Sequence, residues 1–268
     1  MPLTELQEAT ARLLSANRTE NSHLAGGAAL HLQPNSKRYS NDLDYFHDSP
    51  ERVATAFAAD RALLEQHGYA VHVDLNQPGY IRATVKKDTG TTSIEWAHDS
   101  AWRFLPPIKS EVVGYQLHPI DLAINKLLAL AGRDEARDFL DILMVDREVL
   151  PLGALCWAAV GKDPGFSPRS LLELLKRRGK YQPEDFTRLR LSEEVDLRGL
   201  KAHWLEALAR AESFIDSQDP TEIGCLFYDQ SREQFVAPTP QERTDQATVV
   251  PHFGRPGGIL PAIGAEGG

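Results

Sequence analysis

Residues 23–48 read H-L-A-G-G-A-A-L-H-L-Q-P-N-S-K-R-Y-S-N-D-L-D-Y-F-H-D, and this stretch decides the fold. Its segment Asp42–Phe46 predicts a short strand, in which successive side chains point to opposite faces. Asp42 and Asp44 therefore share one face. Two carboxylates this close repel each other unless a cation or protons lie between them. Oxygen-only ligands of this kind suit Mg²⁺, which proteins often hold through one or two carboxylates together with substrate phosphates.

Two adjacent glycines precede this strand. Gly26 and Gly27 open a short apolar run that predicts the start of a helix. Because they lack side chains, their backbone N–H groups can approach a phosphate closely, and a helix N-terminus adds a favourable dipole. Each signal alone is weak, since a D-x-D pair is more often a turn or a solvated strand end, and a Gly-Gly pair is more often a turn.

The combination is more specific, because an arginine and a serine stand directly before the aspartates. It resembles the nucleotidyltransferases of the DNA polymerase β type, and specifically the AbiEii/AbiGii toxin family, whose first motif is a Gly-Gly helix start followed by R-x-S-x-D-x-D. The matching residues are Gly26, Gly27, Arg38, Ser40, Asp42 and Asp44. The family usually has a hydroxyl residue directly after the glycines. This chain has Ala28 there, which removes one phosphate-contacting hydroxyl but not the backbone cradle.

Three alternating segments predict strands, with Asp88-Thr89-Gly90 as the hairpin turn between the last two. They are Tyr69–Leu75, Tyr80–Lys86 and Thr91–Ala97. In the third, Ser93 and Glu95 face one side, opposite Ile94 and Trp96. On the bare sequence Glu95 reads as an exposed glutamate of an edge strand. The resemblance implies instead that it is the third carboxylate, although many family members have Asp there.

A second hallmark of the family lies in two predicted helices, one beginning near Pro119 and one running from Asp134 to about Arg147. The family pattern is a lysine, then an arginine, then R-D-x-x-D. The matching residues are Lys126, Arg133, Arg137, Asp138 and Asp141. A lysine on a mostly apolar helix face either extends to solvent or contributes a charge to an anionic site.

The resemblance implies a set of roles for these residues. Asp42, Asp44 and Glu95 would hold the metal, and with Lys126 they would form the catalytic set. The triphosphate would lie against Gly26 and Gly27, with Ser40 and Lys126. Arg38 would orient the aspartates or neutralise charge that develops on the phosphoryl group. Arg137 and Asp138 would shape the nucleotide site, and Asp141 would be structural.

The order of elements and the resemblance together predict an α+β fold. A nucleotidyltransferase-like mixed β-sheet flanked by helices would be followed by a mainly α-helical C-terminal region. The expected boundaries are 1–118 for the nucleotidyltransferase domain, 119–236 for a helical domain with a terminal hairpin, and 237–268 for a tail. The tail is rich in Pro, Gly, Thr and Gln and predicts a segment that is flexible or ordered only against a neighbour.

Composition narrows the class of protein. The chain has 268 residues and a formal net charge of −9, which argues against a protein that coats nucleic acid but leaves room for a local basic groove. Its two cysteines are too few for a disulfide framework or an all-cysteine zinc site. No apolar run approaches the ~18 residues of a membrane span, and no signal sequence is recognisable. We therefore expect a cytoplasmic protein.

The function that follows is Mg²⁺-dependent transfer of a nucleotide from an NTP onto an acceptor hydroxyl, with RNA, and tRNA in particular, as the expected acceptor. The resemblance also implies a toxin–antitoxin or phage-defence setting, with a cognate antitoxin as a partner. A segment of local charge +4, residues 169–190, either tracks an RNA backbone or is a solvated helix end. Two alternatives stay open: transfer to a protein side chain, and a non-catalytic module that keeps the fold for interactions.

Overall fold

The structure is a computed structural model that describes residues 3–32, 36, 38–245 and 248–262. It divides into two compact units. The first comprises Met1–His118 with Leu189–Glu194, and the second comprises Pro119–Arg188 with Val195–Gly268. The predicted boundary at 118/119 coincides with the end of the main segment of the first unit. Whether these units are independent domains stays a prediction.

The first unit contains three α-helices and eight strands among its described residues. The helices are α1 (Glu5–Leu14), α2 (Gly26–Leu30) and α3 (Pro50–Gln66), and a 3₁₀ turn spans Ser15–Asn17. The strands are β1 (Ser22–Ala25), β2 (Asp42–His47), β3 (Ala70–Gln77), β4 (Tyr80–Lys87), β5 (Gly90–His98), β6 (Trp102–Arg103), β7 (Ile108–Ser110) and β8 (Gly114–Gln116).

Seven of these strands form one mixed sheet in the order β3-β4-β5-β2-β1-β8-β7. Strand β2 runs parallel to β5, and β1 runs parallel to β8, whereas the other neighbours are antiparallel. Helices α1 and α3 pack against this sheet. The predicted α+β fold with a mixed sheet flanked by helices is therefore confirmed.

Local sequence signals explain where the elements begin and end. The Ser49 hydroxyl accepts a hydrogen bond from the Arg52 N–H at the start of α3, and Pro50 occupies the first helical turn. The helix ends before Gly68, whose φ of +79° is in the left-handed region. The hairpin between β4 and β5 turns at the predicted position, where Asp88 has a φ of +52°.

Strand β1 was not predicted, and its burial explains why. All four of its residues are buried, so it shows none of the alternation of apolar and polar side chains that marks a half-exposed strand. It lies between β2 and β8 in the interior of the sheet. A four-residue strand covered on both faces carries no periodic signal.

The second unit is mainly helical, as predicted. Its helices are α4 (Pro119–Arg133), α5 (Ala136–Glu148), α6 (Leu152–Lys162), α7 (Pro168–Leu175), α8 (Pro183–Phe186), α9 (Leu197–Ser217) and α10 (Pro240–Asp245), with a 3₁₀ turn at Pro220–Glu222. Its strands are β9 (Cys225–Asp229), β10 (Gln234–Val236), β11 (Val249–Phe253) and β12 (Arg255–Pro256).

The segment predicted as a tail, 237–268, contains regular structure. Strand β11 pairs antiparallel with β9, and β10 pairs with the other edge of β9. The described part of this segment thus pairs with a strand of the same unit, and the assignment of 237–268 as a separate tail stays a prediction. Residues 246–247 and 263–268 lie outside the described part. Among the described residues, no helix combines the length and apolar character needed to cross a membrane.

Candidate active site

The carboxylates predicted to hold a metal converge on two adjacent strands. In the parallel pairing of β2 with β5, Asp44 lies directly opposite Glu95, and Asp42 lies opposite Ser93. Carboxylate oxygens of Asp42, Asp44 and Glu95 lie within 4.8 Å of one another. Strand β5 lies between β4 and β2. The reading of Glu95 as an edge-strand residue is therefore wrong.

The alternation of the two strands separates the acidic face from the core. Tyr45 and Trp96 point to the opposite face and are fully buried, whereas Asp44 and Glu95 are partly exposed. The Ser40 hydroxyl donates a hydrogen bond of 2.9 Å to Oδ1 of Asp42. Three carboxylates this close repel one another unless a cation lies among them. The all-oxygen donor set fits a hard divalent cation such as Mg²⁺.

The two glycines stand directly beside this acidic cluster. Gly26 has a φ of +61°, and a Cβ atom added to it would lie 1.7 Å from Oδ2 of Asp44. A Cβ atom on Gly27 would lie 2.8 Å from Nη2 of Arg38 and 3.0 Å from Oγ of Ser40. The first role of the pair is therefore to let these three side chains approach the backbone.

The helix that begins at the glycines is short. Helix α2 has five residues, so its dipole is smaller than the sequence suggested, although the backbone N–H groups of its first turn still have no partner within the helix. Ala28, the departure from the family pattern, is fully buried.

The arginine of the first motif is held by a distant segment that sequence reasoning missed. The Tyr39 N–H donates a hydrogen bond of 2.9 Å to the Arg190 carbonyl, and Arg38 forms an isolated antiparallel β-bridge with Leu191. The Arg190 guanidinium lies 5.8 Å from the centre of the Tyr39 ring. Segment Leu189–Glu194 therefore belongs to the first unit, and no short-range sequence signal predicts this pairing.

A buried charge network lies on the opposite face from the acidic cluster. Both oxygens of Asp60 accept hydrogen bonds of 2.5 Å from Nη2 of Arg18. Asp60 also accepts bonds from the Trp96 indole at 2.7 Å and from Asn17 at 2.9 Å. The Arg18 guanidinium lies 4.3 Å from the centre of the Tyr45 ring. Trp96 and Tyr45 each adjoin a carboxylate of the site, so the network fixes both strands.

Tyr80 is a further neighbour of the site that the sequence did not single out. It lies on β4 opposite Ala97, which places it diagonally across from Glu95. Burial, and then a hydrogen bond to Glu95, raise the pKa of Tyr80 to about 12. The hydroxyl thus stays protonated at neutral pH and donates to the carboxylate.

The lysine and aspartates of the second motif meet in the second unit. Lys126 is 6% exposed, so it does not extend to solvent. Its Nζ atom lies 3.2 Å from Oδ1 of Asp138 and 2.9 Å from Oδ2 of Asp141. Burial alone would raise the pKa of Asp138, but hydrogen bonding from Arg133 and the charge of Lys126 lower it below the usual value. Arg137 forms an ion pair with Glu135 at 2.7 Å.

Sequence comparison matches the model of one protein family over residues 11–223, described as "Nucleotidyl transferase AbiEii toxin, Type IV TA system". The chain belongs to the AbiEii nucleotidyltransferase toxin family. It is therefore a nucleotidyltransferase, in a family of toxins of toxin–antitoxin systems. The match spans both motifs identified above. No curated protein sequence matches the chain.

Solved structures resemble this chain at low sequence identity. JHP933 from Helicobacter pylori is 17% identical with a TM-score of 0.52, and the alignment covers 80% of this chain and 95% of that one. A second structure from H. pylori is 15% identical with a TM-score of 0.50, and the alignment covers 79% of this chain and 94% of that one. MenT4, a nucleotidyltransferase toxin from Mycobacterium tuberculosis, is 18% identical with a TM-score of 0.48, covering 81% and 83%. At these identities the first two show the fold alone.

Proposed function

We propose that this AbiEii-family enzyme is Mg²⁺-dependent and moves an NMP from an NTP onto a hydroxyl group of RNA, with tRNA as the first candidate. The observation that carries the metal dependence is the carboxylate cluster of Asp42, Asp44 and Glu95, whose oxygens lie within 4.8 Å of one another. A bound Mg²⁺ ion would neutralise these charges and act as a Lewis acid toward the phosphate oxygens.

The residues of the first motif would position the triphosphate. Gly26 and Gly27 offer backbone N–H groups beside the acidic cluster, and Ser40 holds Asp42 in place through its hydrogen bond. Arg38 lies against Gly27 and would neutralise charge on the transferred phosphoryl group.

The residues of the second motif would supply the remaining charge. We propose that Lys126 contacts the β- or γ-phosphate, that Asp138 holds the lysine, and that Arg137 shapes the nucleotide site. Asp141 shares Lys126 with Asp138. Two carboxylates therefore face one ammonium group, and this pairing would hold the lysine side chain in a fixed position.

The reaction is an in-line displacement at the α-phosphorus. The acceptor hydroxyl loses its proton to a base, with Glu95 as the candidate, its oxygen forms a bond to phosphorus, and the bond to the bridging oxygen of pyrophosphate breaks. Pyrophosphate leaves with the electron pair of that bond. The chain contributes mainly positioning and charge stabilisation.

Part of the basic segment 169–190 favours RNA as the acceptor. Three of its basic residues are engaged by carboxylates: Arg169 with Asp216, Lys176 with Glu173 and Glu212, and Arg178 with Asp134. Among the described residues, Arg177, Lys180 and Arg188 have no carboxylate within 4.0 Å. These three remain available for phosphates.

We also propose that the enzyme has a cognate antitoxin and a role in phage defence, and that it acts in the cytoplasm, where NTPs and RNA are found.

The test is label transfer from each α-labelled NTP with Mg²⁺, in parallel incubations with total RNA and with a cell protein fraction. Label in an RNA band, lost on chelation with EDTA, is the expected result. Label on protein alone would replace RNA by a protein side chain as the acceptor. Absence of transfer, together with absence of Mg²⁺-dependent NTP binding, would leave a non-catalytic interaction module.

A further inference from the structure

The register of the sheet aligns four residues in a row across four strands. Ala25 of β1 pairs with Asp44 of β2, Asp44 with Glu95 of β5, and Glu95 with Arg82 of β4. Neighbouring strands lie about 4.8 Å apart. The glycines that follow Ala25 are thus at one end of the row, the carboxylates are in the middle, and Arg82 is at the other end.

Arg82 shares the acidic face. Side chains that pair directly across two strands point to the same face. The flanking residues of β4, Ile81 and Ala83, are buried, whereas Arg82 is exposed. Among the described residues, no carboxylate lies within 4.0 Å of its guanidinium group. An arginine next to Glu95 that is not consumed by an ion pair is available to an external anion.

The geometry of the reaction indicates which anion Arg82 would bind. In nucleotidyl transfer the attacking and leaving oxygens lie on opposite sides of the transferred phosphorus. This step rests on the proposed function, in which Gly26 and Gly27 hold the triphosphate and pyrophosphate leaves toward them. The acceptor then enters from the β4 end of the row, past Glu95 and beside Arg82.

We propose that Arg82 is an acceptor-positioning residue, which binds a phosphate of the polynucleotide next to the hydroxyl that is modified. A guanidinium group binds phosphate through two parallel N–H donors, so it fixes the orientation of the acceptor as well as its position. In a polynucleotide the terminal hydroxyl and a backbone phosphate belong to the same nucleotide, whereas the hydroxyl side chain of a protein has no phosphate beside it. The position of Arg82 therefore favours a nucleic-acid acceptor.

The same strand supplies a matched control. Lys86 is also exposed and lies four residues along β4, opposite Thr91. Because residues four apart on a strand share a face, Lys86 points the same way as Arg82 but lies about 13 Å from it. Its removal changes the net charge equally without touching the acceptor path.

The test is steady-state transfer to the labelled RNA with Arg82→Ala, Arg82→Lys and Lys86→Ala, together with NTP binding. We expect Arg82→Ala to raise the KM for RNA about 10- to 100-fold, to leave the Kd for NTP unchanged, and to reduce the slope of log affinity against log salt by about 0.7. Arg82→Lys should recover part of the KM, and Lys86→Ala should behave as wild type.

The outcomes separate this inference from the function on which it rests. If the wild-type protein labels RNA but Arg82→Ala and Lys86→Ala have the same KM and salt slope, the acceptor subsite is wrong and the transferase stands. An equal loss of NTP affinity would also overturn it, because Arg82 would then serve the nucleotide. If the wild-type protein transfers label only to protein, or transfers none, the proposed RNA acceptor is wrong, and the acceptor subsite at Arg82 is then wrong as well.

Discussion

At the scale of single residues, the site depends on backbone that comes unusually close to charged side chains. Gly26 combines a left-handed φ with an Asp44 oxygen in the space that a Cβ atom would fill. A larger residue there strains the backbone and also pushes the carboxylate away from its partners. Gly68 separates these two effects, because it has a φ of +79° but nothing within 4 Å of an added Cβ atom.

We expect Gly26→Ala to lower the rate of nucleotidyl transfer at least about 100-fold, since displacement by about 1 Å is enough to cause such a loss. Gly68→Ala should introduce a backbone strain similar to that in Gly26→Ala, about 1 kcal/mol, and keep full activity. Transfer rates and urea denaturation of both variants provide the measurement. Equal activity of the two variants would show that Asp44 does not depend on Gly26.

The residue scale is also where the sequence was most informative. Asp42, Asp44 and Glu95 were expected on one face of adjacent strands, and the register of β2 with β5 places them there. Tyr80 was missed because its proximity to Glu95 follows from the exact register of a hairpin, which alternation alone does not specify. The functional roles of these residues remain predictions.

At the scale of elements, the buried pair of Arg18 and Asp60 supports β2 and β5 on the face of the sheet opposite the acidic cluster. Both side chains have no exposed area, and Asp60 accepts four hydrogen bonds, from Asn17, Arg18 and Trp96. Removal of one partner from a buried ion pair leaves a charge without compensation. Asp60 therefore stabilises the packing of helix α3 against the two strands that carry the site.

We expect Asp60→Ala to lower the free energy of unfolding by about 3–5 kcal/mol, because Arg18 would remain buried and unpaired. Helix α3 also provides the control. Arg61 and Glu65 form an ion pair at 2.7 Å in which both side chains are 46% exposed, so Glu65→Ala should cost about 0.5 kcal/mol or less. Urea denaturation monitored by circular dichroism gives both values. A cost for Asp60→Ala as small as that for Glu65→Ala would contradict a supporting role.

The elements that sequence patterns missed share one property. Strand β1 has both faces covered. Segment Leu189–Glu194 joins the first unit through contacts that include the β-bridge of Leu191 with Arg38 and a backbone hydrogen bond from Tyr39. Neither feature produces a periodic pattern of apolar residues. Strands β3 to β5 were predicted within a few residues, because each alternates more exposed with less exposed side chains and clear turn residues separate β4 from β5.

At the scale of the whole molecule, buried histidines are one source of the response to acid. Burial lowers the pKa of His23 to about 4 and that of His47 to about 3, with the charge of Arg103 or Arg18 adding to the effect. Both are neutral in the folded protein at neutral pH. Below about pH 6.5 the unfolded chain binds a proton at each histidine that the folded protein does not bind.

The free energy of unfolding should therefore fall as the pH decreases from about 6.5 toward 4, by up to about 1.4 kcal/mol per pH unit for each histidine. The reason is that stability rises with pH wherever the unfolded state binds more protons. Urea denaturation at pH 7 and pH 5 measures the difference. His47→Gln should reduce it, whereas His72→Gln should leave it unchanged, because the His72 side chain is 83% exposed. Equal pH dependence in both variants would exclude His47 as a source.

The measurement that tests the central claim most directly is the single-turnover rate of nucleotidyl transfer by Asp44→Asn, as a function of Mg²⁺ concentration. The control is Asp74→Asn, which removes a carboxylate from strand β3 of the same sheet, where it accepts a hydrogen bond from Thr84. We expect Asp44→Asn to lose at least about 1,000-fold in rate at every Mg²⁺ concentration, and Asp74→Asn to match the wild-type protein. A wild-type rate for Asp44→Asn in a folded protein would contradict the acidic cluster as the catalytic centre.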